Sequence, residues 1–157
     1  MSETGIVRRI DELGRIVVPK ELRNALRIHE GSMLEFSLYG DGLMLKKYNP
    51  LNSVGEISDL LVGTLAKKLG RRVVIVCDNE VFSSSAKDFT PEMLDQTKRT
   101  QFETKTEIEG EEKNILVTPI VSGGDVLGNL VVEGSVTEEG RELSMFAAEL
   151  VANYYQN

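Results

Sequence analysis

Residues 5–27, GIVRRIDELGRIVVPKELRNALR, decide how this chain is read. Six of them are Arg or Lys and three are acidic. Two short apolar runs, Gly5–Ile10 and Arg15–Val18, flank an Asp-Glu-Leu-Gly turn, where Gly14 can take a positive φ. The pattern predicts two strands. Pro19 then ends the second strand and suits the first turn of a helix, where its missing N–H is not needed. KELRNALR places Leu22, Ala25 and Leu26 on one helical face. Glu30-Gly31 closes the unit. Leu34, Phe36 and Leu38 alternate with Glu35 and Ser37, as in a half-buried strand. Gly40-Asp41-Gly42 turns it back into LMLKKY.

Charge separates this head from the rest. Residues 1–48 hold eight Lys/Arg and seven Asp/Glu, a net of +1, whereas residues 49–157 hold ten and eighteen, a net of −8. A basic segment on an acidic body points to nucleic acid, with contact confined to the head. A unit this small has too little interior to fold comfortably alone, and it lacks a disulfide or metal motif to compensate. A dimer sharing one core is the remaining solution.

Asn49-Pro50 marks a boundary, giving domains at 1–49 and 50–157. Beyond it, Ile57, Leu60, Leu61, Leu65, Ala66 and Leu69 recur at helical spacing up to Gly70. RRVVIVCD reads as a buried strand, with NEVFSSS as its neighbour. Thr90-Pro91-Glu92 reads as a helix start, with the helix over 92–102 and a turn at 108–111. NILVTPIVS and VLGNLVVEG form a hairpin around Gly123-Gly124-Asp125. Thr137 opens a last amphipathic helix with Leu143, Phe146, Ala147, Leu150 and Val151 on one face. Strands and helices segregate in this way in an α+β domain with an antiparallel sheet.

GIVRRIDELGRIVVPKELR, LRIHEG, LEF and LMLKKYNP resemble, almost residue for residue, the swapped-hairpin DNA-binding domain of AbrB-type transition-state regulators. The resemblance implies a mainly β barrel built from two chains that exchange hairpins, with double-stranded DNA as partner. In that family, basic residues of the first hairpin and the short helix carry DNA binding. Arg8, Arg15 and Arg23 match those positions, and Arg9 stands where a basic residue is frequent. The family commonly places a second Arg after Arg23; this chain has Asn24, which keeps an amide but loses a charge. Lys20 and Arg27 are the candidates to compensate. The residue types suit the task, since Arg offers a planar fork to phosphate or guanine edges and Lys a point charge.

The element order of residues 50–157, with TPIVSGGDVLGNLVVEG as its strand pair, resembles a GAF domain, as in sporulation-type members of the family. The helices at 51–69 and 137–156 are both amphipathic, which ranks assembly first, through pairing across chains into a tetramer. The resemblance also leaves room for a small-molecule effector under a cover at 78–108. The function implied is that of a cytoplasmic, nucleoid-associated, sequence-specific transcription regulator.

Other chemistries find little support. Catalysis, metal and cofactors are not expected. Cys77, the sole cysteine, lies in an apolar strand and reads as a small core residue. His29 has no ligand partners in its turn. Gly123-Gly124 lacks the following Lys-Ser/Thr of a phosphate loop. Glu109, Glu111 and Glu112 read as a solvated loop, and Ser83-Ser84-Ser85 lacks a His–Asp arrangement. Tyr154, Tyr155 and Phe146 read as core or helix-pairing residues. No apolar run approaches a membrane span, and MSETGIVRRIDE lacks an apolar signal region. The alternative class is an antitoxin, because swapped-hairpin heads occur there too. Antitoxin tails are typically extended and disorder-prone, whereas residues 51–157 show periodic, folded patterning.

Overall fold

A computed structural model describes residues 5–89, 100–108 and 110–155. The chain divides into two compact units, Met1–Tyr48 and Asn49–Asn157.

The first unit has one short helix, α1 (Lys20–Ala25), and one hairpin, β1 (Leu34–Tyr39) and β2 (Gly42–Lys47). The hairpin pairs Leu34 with Lys47 through Tyr39 with Gly42. Its two-residue turn has φ +61° at Gly40 and no positive φ at Asp41. That is the type II′ arrangement, in which the first central residue is best a glycine and the turn's twist matches that of the strands. The strands expected at Gly5–Ile10 and Arg15–Val18 differ from expectation, since neither carries ladder pairing in this chain. Their turn does form, with the Asp11 N–H donating to the Arg15 carbonyl at 3.0 Å.

Burial explains the difference. Among the described residues of this unit Pro19 alone is fully buried, and α1 buries none. Val7, Phe36 and Leu38 are 85%, 62% and 85% exposed. One chain supplies the apolar faces but nothing to lay against them, so no interior forms to dry and align the first hairpin.

The second unit is different. A one-turn 3₁₀ helix (Pro50–Val54) starts at Asn49, whose side-chain oxygen accepts from the Leu51 N–H. Helix α2 (Gly55–Leu69) follows and ends on left-handed Gly70. Five strands come next: β3 (Val73–Cys77), β4 (Glu80–Ser84), β5 (Phe102–Ile108), β6 (Glu111–Ser122) and β7 (Asp125–Glu133). They form one sheet in the order β4-β3-β7-β6-β5, antiparallel at every pairing. Helix α3 (Glu138–Tyr155) closes the unit, and the Thr137 hydroxyl accepts from the Gly140 N–H as its cap.

The 3₁₀ turn, α2 and α3 share a core with one face of the sheet, built on Leu51, Val62, Ile75, Leu116, Leu130 and Val151. The other face gathers Val74, Val76, Ile115, Val117 and Val131 under Phe89 and Ile108. Strand β3 serves both clusters, which is why VVIVC is apolar without alternation. Cys77 belongs to the first cluster, with its thiol 3.2 Å from the Leu127 carbonyl oxygen. Gly128 in β7 marks a close approach: a Cβ there would stand 2.7 Å from the Val76 carbonyl oxygen.

Four details depart from the sequence reading. FETKTEI forms β5, where no strand was expected. Its inward positions include Thr104 and Thr106, so the apolar alternation is faint. The helix expected over 92–102 falls mostly outside the described residues, and its last position, Phe102, opens β5. In α3 the buried side is Gly140, Ser144, Ala147, Ala148, Val151 and Ala152, while Phe146 and Leu150 lie outside. Small residues let the helix sit close to the sheet, and the large ones take its flank. Likewise in α2, Ser58, Val62 and Leu65 face inward and Leu60 is exposed.

Candidate nucleic-acid interface

The candidate residues fall on two structural elements. Arg8, Arg9 and Arg15 flank or follow the first turn. Lys20, Arg23 and Asn24 lie on α1, and Arg27 follows it. All seven are exposed.

The turn is organised by Asp11, which the sequence reading had not singled out. Its Oδ1 accepts from the N–H groups of Leu13 (2.9 Å) and Arg15 (2.8 Å). Its Oδ2 accepts from Arg15 Nε at 2.7 Å. Gly14 takes φ +77° and donates to the Asp11 carbonyl at 3.0 Å. The signal was present in the sequence, because Asp at the start of a turn uses its carboxylate to mimic backbone acceptors. The Arg15 N–H, then the Arg15 side chain, hold the Asp11 carboxyl below the usual carboxylate range. The pairing leaves the side chain of Arg15 73% exposed, with its two Nη groups without an acceptor among the described residues.

Helix α1 arranges the second group. Pro19 is its N-cap, one position earlier than expected, and its carbonyl accepts from the Arg23 N–H at 2.9 Å. Positions 20, 23, 24 and 27 follow the i, i+3, i+4, i+7 spacing of one helical stripe, opposite Leu22, Ala25 and Leu26. The helix stops in a Schellman pattern. Ile28 N–H donates to the Arg23 carbonyl at 2.7 Å and Arg27 N–H to the Asn24 carbonyl at 3.2 Å. Arg27 occupies the left-handed position with φ +52°, normally given to glycine. Sequence spacing alone placed Arg27 on the helix; the structure places it just beyond the end.

Arg9, Lys20 and Arg23 carry no ion pair among the described residues, and Arg8 Nη1 donates to its neighbour's carbonyl, Val7 O, at 3.0 Å. The basic residue Lys46, by contrast, is balanced across the hairpin by Glu35 at 3.5 Å. Arg9 lies beside the first turn, and Lys20 and Arg23 lie on α1. Among the described residues no cluster of His, Cys, Asp or Glu could hold a metal ion, and no helix is long and apolar enough to cross a membrane.

Residues 7–52 match the family described as antidote-toxin recognition MazE, bacterial antitoxin. The chain is 37% identical to stage V sporulation protein T of Bacillus subtilis (strain 168), over 84% of this chain and 84% of that protein. It is 48% identical to the transition state regulatory protein AbrB of the same organism, over 38% of this chain and 65% of that protein. Among solved structures, it resembles the solution structure of the N-domain of the transcription factor abrB, at 52% identity over 31% of this chain and 92% of that one, with a TM-score of 0.29. The match to stage V sporulation protein T covers too much of the chain to stop at the first unit. The chain belongs to the AbrB-type transition-state regulator family and is related to stage V sporulation protein T through both of its units.

Proposed function

We propose that this protein is a sequence-specific, double-stranded-DNA-binding transcription regulator, that it acts as an oligomer, and that it is not an enzyme. The observation that carries the reading is the set of exposed cations on the first turn and one stripe of α1, in a unit whose apolar faces are uncovered in a single chain. A second copy exchanging its first hairpin would give 5–10 and 15–18 ladder partners and would close a β-barrel core over Val7, Phe36 and Leu38. The DNA surface is then a property of the dimer, presenting Arg8, Arg9, Arg15, Lys20, Arg23, Asn24 and Arg27 twice. Its kinship with regulators named for sporulation and transition state supports the same role here.

The second unit, read as GAF-like, is the assembling and sensing part. Its own core is complete, yet Phe146, Leu150 and Tyr154 recur every four residues on the outside of α3. That stripe suits pairing with another chain, giving a tetramer and raised avidity on extended sites.

The direct test is genome-wide occupancy of the full-length protein, with native mass measurement of its oligomeric state. Discrete occupied sites lost in Arg23→Ala are expected. Uniform coating would overturn sequence-specific regulation. The match of residues 7–52 to an antitoxin family favours a second reading, in which the head autoregulates an operon and the chain neutralises a toxin. Stoichiometric co-purification of a small partner protein would establish it.

A further inference from the structure

The first turn fixes one arginine before any ligand arrives. Asp11 and Arg15 face each other across it through three hydrogen bonds. The Asp11 N–H donates to the Arg15 carbonyl at 3.0 Å, the Arg15 N–H to Asp11 Oδ1 at 2.8 Å, and Arg15 Nε to Asp11 Oδ2 at 2.7 Å. The Asp11 carbonyl is taken by the Gly14 N–H at 3.0 Å, so the carboxylate replaces it as the acceptor for the Arg15 N–H.

The point of attachment on the guanidinium matters. The group is planar, and its Nη1 and Nη2 form an end-on fork while Nε lies at its base. Anchoring at Nε sets the plane and leaves the fork to a ligand. The Arg15 side chain is 73% exposed and that of Asp11 41%, so the fork is open to solvent. As a source of stability an exposed ion pair is small. As a phosphate contact the arrangement is self-defeating, because the carboxylate repels any phosphate beside it. Arg9 and Arg23, which carry no ion pair among the described residues, are the better phosphate contacts. A held plane is useful where an edge must be met at a fixed angle. The N7 and O6 acceptors of guanine form such an edge, and a forked arginine meets both.

We propose that Asp11 is a positioning residue for DNA recognition: it holds Arg15 by Nε so that the Nη fork reads a guanine edge in preference to phosphate. A long side chain fixed before binding loses less freedom on binding. The carboxylate also weakens attraction to the phosphates of any duplex, so it lowers general affinity and raises selectivity. The inference rests on the DNA-binding reading of the first unit and assigns base readout to one of its cations.

The test is selection by the full chain from a duplex library of randomised sequence, beside titration with a guanine-free duplex of alternating dA and dT. Asp11→Asn keeps the Oδ1 acceptor for the turn and removes the partner of Nε. Arg15→Lys keeps the charge and removes the fork. Guanine preference should relax by roughly three- to tenfold in Asp11→Asn, the effect of freeing one long side chain. It should relax at the base positions that Arg15→Lys affects and at no others. Affinity of Asp11→Asn for the guanine-free duplex should rise, since a negative charge is lost. In the free protein its Arg15 Nε–H resonance should move, while the Leu13 and Arg15 backbone amides keep the temperature coefficients of bonded N–H groups. An unmoved Nε–H resonance, or guanine preference unchanged in either variant, would overturn the proposal. Loss of the bonded amides, or weaker binding to the selected and the guanine-free duplex alike, would make Asp11 a turn residue alone and overturn it too. A parent that selects no sequence would overturn the regulator reading itself, and this inference with it. A parent whose selected sites are shared by Asp11→Asn would overturn this inference alone.

Discussion

Val73, Ile75, Leu116 and Leu130 of the second unit have no exposed surface, whereas Val7, Phe36 and Leu38 of the first, chemically equivalent, stand mostly in solvent. Cations differ in the same way. In the second unit Arg72 and Lys113 meet Glu133, Lys105 meets Glu112, and Arg141 meets Glu103. In the first, Arg9, Lys20 and Arg23 meet no carboxylate among the described residues. One unit covers a core of its own. The other holds both its apolar faces and its charges outward. A chain segment of this size gains stability by sharing a core and gains function by leaving its charges to be neutralised by a ligand.

Measurements on both units would break or sharpen this contrast. The largest effect should come from the self-sufficient core: Leu130→Ala should destabilise the second unit by about 2–5 kcal/mol in thermal unfolding, through lost burial and a residual cavity. Leu38→Asp should leave that unit's unfolding unchanged and abolish dimerisation of the first, as read by native mass. Retained tetramers would place the shared core elsewhere, since dimers through α3 persist in either case. Next, Arg15→Ala or Arg23→Ala should weaken DNA binding by about 1–3 kcal/mol with the fold intact. With about six phosphates neutralised, log K should fall against log salt with a slope of about −5. A flat salt dependence would show that the exposed cations do not meet phosphate.

Smaller is the effect of Arg27→Gly. Glycine takes the left-handed position without strain, so thermal stability of the first unit should rise by up to about 1 kcal/mol while DNA affinity falls. The smallest is a pH effect at Asp11. Its carboxyl titrates below the usual carboxylate range in the folded turn, so the contribution of the turn is complete above the unfolded value and is lost as pH falls through the lower folded one. Amide shifts of Leu13 and Arg15 should therefore hold steady down to about pH 4 and move only in stronger acid. Movement centred on an ordinary Asp value would show that the turn is not held by Arg15.

Much of this was legible in the chain. Gly40-Asp41-Gly42 announced a hairpin turn, and the φ values of the structure made it type II′. Thr137 announced the start of α3 because a hydroxyl caps open N–H groups. VVIVC announced a strand buried on both faces. Strand β5 was harder to see, since threonine at two inward positions blurs apolar alternation. Phe146 and Leu150 were placed on one apolar face with Ala147 and Val151, because a wide apolar stripe does not tell which edge of it meets the sheet. Asp11 was legible as a turn residue, but its bond to the Arg15 side chain depends on how the turn closes.

By itself the sequence determined the division of labour: a basic, turn-rich head, an acidic and periodic body, and the residue types able to meet phosphate. Those are properties of local spacing and charge, which survive without any knowledge of distant neighbours. Tertiary structure alone decided which apolar residues are covered and that Arg72 and Lys113 both reach Glu133. These depend on strand register, which joins residues far apart in the chain and is set by the packing of the whole sheet.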